Sequence, residues 1–210
     1  MKEFDIITEA DARMLDRGAT VALRSGGHIT PLARDTLRER RVTVVVAGSQ
    51  DPNLPDDLAP TPDIRRLAIG SDHTGVALKA HLVQALRAAG LQVDDLGTDG
   101  AQPVDYPDVA AAVARAVMRR EADAGIVIDG AGLGSAIAAN KVRGIRAAMC
   151  IDETLARYSR EHNGANVLAL GATLVTHEQA LAIVRTWLAT PMREARYIRR
   201  LMKIRQMEQT

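Results

Sequence analysis

Five short apolar runs, at residues 67–70, 93–96, 125–128, 147–150 and 167–170, are each bounded by turn residues. Helical periodicity fills the gaps, at 76–89, 109–119, 135–140, 153–163 and 178–189, and a last helix spans 193–208. Strands that are apolar at every position must be covered on both faces, and an alternation of strand and helix provides that cover. The expected fold is α/β, a parallel five-stranded sheet with helices on both faces. Ligands of such sheets sit beyond the carboxyl ends of the strands, so the residues just after each run carry the functional argument.

The alternation begins only after a break. Four of the eight prolines, Pro52, Pro55, Pro60 and Pro62, fall within residues 48–63 beside Asn53, Asp56 and Asp57. Such a stretch holds neither a helix nor a paired strand and reads as an extended linker. Residues 1–63 carry 8 basic and 11 acidic groups, whereas 64–210 carry 19 and 15. The predicted organisation is a small N-terminal α/β module at 1–47, a Pro-rich linker at 48–63 and a main domain at 64–210. In the module, strands are expected at 20–23 and 42–46. A helix capped at Thr8 should run to Asp16, and a second should start at Pro31 after Thr30. So small a core is marginal alone and is expected to dock on something.

Composition excludes several classes of function. The net charge of +1 gives no global field for nucleic acid or membrane, and 2% aromatic residues supply no base-stacking platform. One cysteine, Cys150, permits neither an internal disulfide nor a multi-Cys zinc site. The chain has no apolar run of membrane-spanning length and its first residues lack a signal-peptide core. It is expected to be soluble and cytoplasmic.

The first strand end reads Gly70-Ser71-Asp72-His73-Thr74-Gly75. A carboxylate beside an imidazole offers proton transfer and anion contact, although Ser, Asp and Gly are also ordinary turn formers. The third reads Asp129-Gly130-Ala131-Gly132-Leu133-Gly134-Ser135. Alternating glycines let backbone amides point at an anion, and Asp129 is either a base or a cap for the adjoining loop. Burial at a strand mouth would raise its pKa while adjacent amides would lower it, so the sequence leaves the net shift open. The helix at 153–163 ends in His162-Asn163, and the last helix carries Arg196 and Arg200 one turn apart, a fork suited to phosphate.

Taken together, these motifs resemble the type B ribose-5-phosphate isomerases and the related galactose-6-phosphate isomerase subunits. The likeness runs from Leu67 to Glu208. It also rests on Asp105-Tyr106-Pro107, Ala138-Ala139-Asn140-Lys141 and Asn166-Val167-Leu168-Ala169. The resemblance implies a Rossmann-like sheet and an aldose–ketose isomerisation through an enediolate, without metal or cofactor. It implies Asp72 and His162 at ring opening and at substrate hydroxyls; Asp129, by its place at the strand end, is the candidate carbon base. His73, Tyr106, Arg196 and Arg200 would bind the substrate and its phosphate. Gly130, Gly132, Gly134, Ser135 and Asn163 would stabilise the enediolate. It further implies a homodimer or tetramer whose sites combine residues of two subunits.

Three positions depart from the family pattern. Asp129 stands where many members have cysteine, Ser135 where others have glutamate, and Thr173 where arginine is common, which puts one phosphate contact in doubt. Ribose 5-phosphate is the expected substrate. A six-carbon or deoxy sugar phosphate is the nearest alternative, and a non-catalytic sugar-phosphate sensor is the alternative from another class. Residues 7–11 and 29–35 resemble a short leader on some enzymes of bacterial microcompartments. That implies a shell or cargo partner for residues 1–47, against a plain extension that stabilises the oligomer.

Overall fold

The computed structural model describes residues 2–46, 64–192 and 195–208, without the side chains of residues 25, 26, 45, 46, 195, 196, 198 and 199. The expected linker at 48–63 lies outside the described residues. The chain divides into two compact units. One comprises residues 1–58 with 194–203, and the other 59–193 with 204–210. The sequence pattern assigns the whole last helix to the main domain; in the structure residues 194–203 group with the first unit.

The first unit contains β1 (Glu3–Ile7), α1 (Glu9–Met14), β2 (Thr20–Ile29), α2 (Pro31–Glu39) and β3 (Thr43–Val46). The strands form a parallel sheet in the order β1-β2-β3. Thr8 and Asp11 close a capping box at α1, and the Thr30 hydroxyl accepts from the Ala33 amide above Pro31 at α2. Ile7, Ala12, Leu15, Val21, Leu23, Ala33 and Leu37 form its core. The sequence pattern does not predict β1, and β2 is longer than expected.

The second unit is built from β4 (Arg66–Ser71), α3 (Val76–Ala88), β5 (Gln92–Asp95), α4 (Tyr106–Met118), β6 (Ala124–Asp129), α5 (Leu133–Ala139), β7 (Ala147–Met149), α6 (Glu153–Glu161), β8 (Val167–Gly171) and α7 (His177–Ala189). α8 (Ala195–Met207) spans the division between the units. The sheet order is β5-β4-β6-β8-β7, with every pairing parallel.

Alternation along the strands divides the core in two. Leu67, Ile69, Ile126, Ile128, Leu168 and Leu170 pack with α3, α6 and α7 around the buried Trp187. Ala68, Val127, Val167 and Ala169 pack with α4 and α5 on the other face. The small residues on that second face let α4 lie close. A methyl group at Gly70 would stand 2.6 Å from Val109, and one at Gly125 2.7 Å from Val113. Burial on both faces accounts for the apolar character of β4, β6 and β8. Among the described residues no helix is long and apolar enough to cross a membrane.

Candidate active site

β4 and β6 are neighbours, but the helices that come after them leave to opposite faces of the sheet, α3 to one and α5 to the other. The chain therefore opens a crevice at their carboxyl ends, the switch point at which such sheets bind ligands. Asp72 lies just past β4 and Asp129 ends β6. The Asp72 amide donates to the Ile128 carbonyl at 3.1 Å, so the two strand ends stay joined beneath the crevice. Gly130 faces the other loop, where a methyl group would meet Thr74 Oγ1 at 3.7 Å.

Asp129 is 5% exposed. Its Oδ1 accepts from the amides of Ala131, at 2.8 Å, and Gly132. Its Oδ2 accepts from the Ser135 amide at 2.7 Å, and the Ser135 side chain adds a further hydrogen bond. A carboxylate has about four lone-pair positions, and four donors fill them. Burial pushes the Asp129 pKa up, but the Ser135 side chain and the three amides outweigh it, and the net shift is downward. In the structure the amides of Gly132 and Ser135 donate to Asp129.

The loop reaches this shape through close approaches that only glycine permits. Gly132 has φ +76, and a methyl group there would stand 2.9 Å from the Gly171 amide nitrogen. A methyl group at Gly134 would stand 2.6 Å from the Tyr106 ring, so Tyr106 lies directly on the loop. Thr173 fixes the outer edge, donating its amide at 3.0 Å and its hydroxyl at 2.7 Å to the Gly130 carbonyl.

Across the crevice, Asp72 is 6% exposed. Its Oδ1 accepts from the Thr74 amide at 2.8 Å and hydroxyl at 2.5 Å, which closes a tight turn. His73 Nδ1 accepts from the Val104 amide at 3.4 Å. A neutral imidazole that accepts at Nδ1 carries its proton on Nε2, where it can donate to an anion.

His162 and Asn163 lie elsewhere in the same unit. α6 starts at the carboxyl end of β7 and returns to the amino end of β8, so His162 and Asn163 lie at the opposite end of the sheet from Asp72 and Asp129. There Arg146, just before β7, bonds Asn166 and Gly164. His162 stacks on Tyr158 with ring centres 4.8 Å apart, and Asn163 donates to the Tyr158 carbonyl at 3.2 Å. Within one chain these two residues do not join the crevice, because the length of α6 intervenes. Arg200 is exposed on α8 with its guanidinium 5.8 Å from the Tyr197 ring centre. The Arg196 side chain lies outside the described residues. Among the described residues no three His, Cys, Asp or Glu side chains gather as a metal-binding group.

Sequence reasoning missed Val104 and Thr173 as anchors, since one acts through its amide and the other stands out only as a missing arginine. It also missed Lys79. This buried residue pairs with Asp95 and Asp99 at 2.7 and 2.8 Å. A lysine inside the apolar face of α3 was the available signal.

Known proteins match the second unit and most of α8. The family model described as Ribose/Galactose Isomerase covers residues 67–204. Ribose-5-phosphate isomerase B of Escherichia coli (strain K12) is 42% identical over 146 residues, 70% of this chain and 98% of the relative. D-erythrulose-4-phosphate isomerase of Pectobacterium atrosepticum is 42% identical over 58% of this chain and 81% of the relative. Among solved structures, ribose-5-phosphate isomerase B of Clostridium thermocellum is 50% identical with a TM-score of 0.68, covering 69% of this chain and 97% of that one. The Mycoplasma genitalium enzyme with bound ribulose-5-phosphate is 38% identical with a TM-score of 0.67, covering 69% and 96%. With the switch-point crevice and its glycine loop in the matched region, the chain belongs to the ribose/galactose isomerase family.

Proposed function

We propose that this chain isomerises a sugar phosphate, converting ribose 5-phosphate to ribulose 5-phosphate through an enediolate. The observation that carries the reading is the crevice itself. It sets the Asp72-His73 turn opposite a glycine loop organised around a buried carboxylate, in a chain of this family. A panel of sugar phosphates with coupled detection of the product tests it. Ribose 5-phosphate should give the highest kcat/KM. A higher value for a four-carbon sugar phosphate, the substrate type of the Pectobacterium relative, or for a six-carbon or deoxy sugar phosphate would replace it.

In this reading His73 donates from Nε2 to the phosphate, with Tyr106, Arg196 and Arg200 as further substrate contacts, and Asp72 serves the opening of the sugar ring. Asp129 takes the proton from carbon. Its four lone-pair positions are filled at rest, so one donor must leave first. The Ser135 hydroxyl is the donor that can turn away without unfolding the loop. When a substrate oxygen accepts that hydroxyl, Asp129 gains a free lone pair and loses an interaction that holds its pKa down. The same hydroxyl then donates to the developing enediolate oxygen. The amides of Gly130 and Gly134 remain as further candidate donors.

Ser135→Ala separates this mechanism from a purely structural Asp129. Removing the hydroxyl raises the carboxylate pKa, so the acid limb of the pH–rate profile should move to higher pH, while kcat falls by about 10²-fold with the lost donor. Asp129→Asn should lower kcat by at least ~10²-fold and abolish exchange of the C2 proton with solvent. An unmoved acid limb in Ser135→Ala, or retained exchange in Asp129→Asn, would assign Asp129 to loop anchoring alone.

We also propose that His162 and Asn163 act in the crevice of a second copy, within a homodimer or tetramer. Their position at the far end of their own sheet supports this. Asp72→Asn and His162→Ala variants, each inactive alone, should recover activity when mixed and allowed to exchange subunits. Roughly a quarter of the sites would then be intact. No recovery after demonstrated exchange would refute a shared site.

Residues 1–47 we assign to docking, toward a shell or cargo protein of a bacterial microcompartment. Their separate core, their position outside the family match at 67–204, and the exposed Met14 and Leu32 support the assignment. A chain lacking residues 1–63 should keep its kcat/KM, while residues 1–63 fused to a fluorescent protein should enter microcompartments. A diffuse fusion, or loss of activity on deletion, would count against docking.

A further inference from the structure

Lys79 lies on α3, away from the residues assigned to substrate, and its side chain is 1% exposed. A buried ammonium is costly unless it is paired and hydrogen-bonded. Here Nζ donates to Asp95 at 2.7 Å and to Asp99 at 2.8 Å. The two carboxylates bracket the first turn of the segment that joins β5 to α4. The Asp99 side chain is 90% exposed even with this contact, so its position there depends on the cation rather than on packing.

That segment crosses the end of β4. The Leu96 amide donates to the Ile69 carbonyl at 2.8 Å and the Thr98 amide to the Ser71 carbonyl at 3.2 Å. Asp95 Oδ1 accepts from the Gly97 amide at 3.0 Å, and Gly97 lies so close to the Ser71 amide that a methyl group would collide with it. Further along, Val104 donates to His73 Nδ1 and Tyr106 rests on Gly134. One stretch of chain therefore starts on the Lys79 cation and ends on both walls of the crevice.

We propose that Lys79, with Asp95 and Asp99, is a positioning latch for His73. It holds the 95–105 segment so that the Val104 amide occupies Nδ1 and the proton stays on Nε2, facing the phosphate. The proposal rests on the reading of His73 as a phosphate ligand. Its effect falls on substrate binding more than on the proton transfers, because Lys79 touches none of the reacting groups. Lys79 and Asp99 stay charged through the neutral range. Burial lowers the Lys79 pKa, but its hydrogen bonds to Asp95 and Asp99 outweigh this and raise it, and the Lys79 hydrogen bond lowers that of Asp99.

The test uses the full chain carrying Asp99→Asn, whose exposed position leaves the core intact, beside Lys79→Gln. Asp99→Asn should raise KM, and the Kd for inorganic phosphate, by about fivefold, the worth of one ordinary hydrogen bond, while kcat stays within about twofold. Asp99→Glu should restore both. The ¹⁵N shifts of the His73 imidazole should move from the Nε2-protonated tautomer toward a mixture in Asp99→Asn and return in Asp99→Glu. In His73→Ala, adding Asp99→Asn should cost nothing more. Unchanged imidazole shifts in both Asp99→Asn and a folded Lys79→Gln would overturn the latch. Full additivity with His73→Ala would overturn it as well. Unaltered phosphate binding in His73→Ala would instead refute the phosphate role of His73, and the imidazole shifts would still judge the latch.

Discussion

A carboxylate that is 5% exposed at the end of the central strand needs compensation for its charge. At Asp129 that compensation is the loop itself. Three amides and a hydroxyl turn inward onto the side chain, and in doing so they fix the path of residues 130–135. The loop then imposes constraints outward. Tyr106 can lie on it because position 134 is glycine, and β8 can end against it because positions 132 and 171 are glycine. The folded pKa of Asp129 is depressed, so its stabilising contribution is present above the unfolded carboxylate value. That contribution is lost as pH falls through the folded value. Acid should loosen this loop together with the rest of the carboxylate network.

The central strands of the second unit, β4, β6 and β8, were legible because each is a nearly continuous apolar run, and burial on both faces demands that pattern. In the first unit the signal was weaker. β1 alternates Glu3 and Asp5 with Phe4 and Ile6, and two carboxylates in five residues hide a strand at the edge of a small sheet. β2 continues through Arg24-Ser25-Gly26-Gly27 to Ile29, a stretch whose composition reads as a turn. The bulge between Phe4 and Ile6 in its pairing with β1 accommodates that stretch within the ladder.

The candidate site was legible as a set of residues and illegible as an arrangement. Asp72, His73, Tyr106, Asp129 and the glycines do converge, since strand ends of a parallel sheet share one edge. His162 and Asn163 carry equally good chemistry, but one helix length separates them from that edge. Residue type and spacing say nothing about which end of a sheet a helix terminus reaches. Only the direction of α6 decides it. The direction of the Asp129 pKa shift was hidden for a related reason, because burial and amides oppose each other and the outcome depends on how many donors converge.

The three departures from the family pattern, Asp129, Ser135 and Thr173, meet at one place. Ser135 bonds Asp129 through amide and side chain, while Thr173 holds the carbonyl of Gly130, the residue next to Asp129. They therefore act as one hydrogen-bonded unit rather than as three separate losses. A threonine that ties down the glycine loop has no charge to offer a phosphate. Under the proposed function, anion binding then falls to the opposite wall, where His73 stands. The more the phosphate depends on His73, the more the orientation of that imidazole matters. A neutral imidazole turned the wrong way presents a lone pair to an anion, which repels it. Rigid support for the segment that carries Val104 is thus the structural counterpart of the threonine on the other side of the crevice.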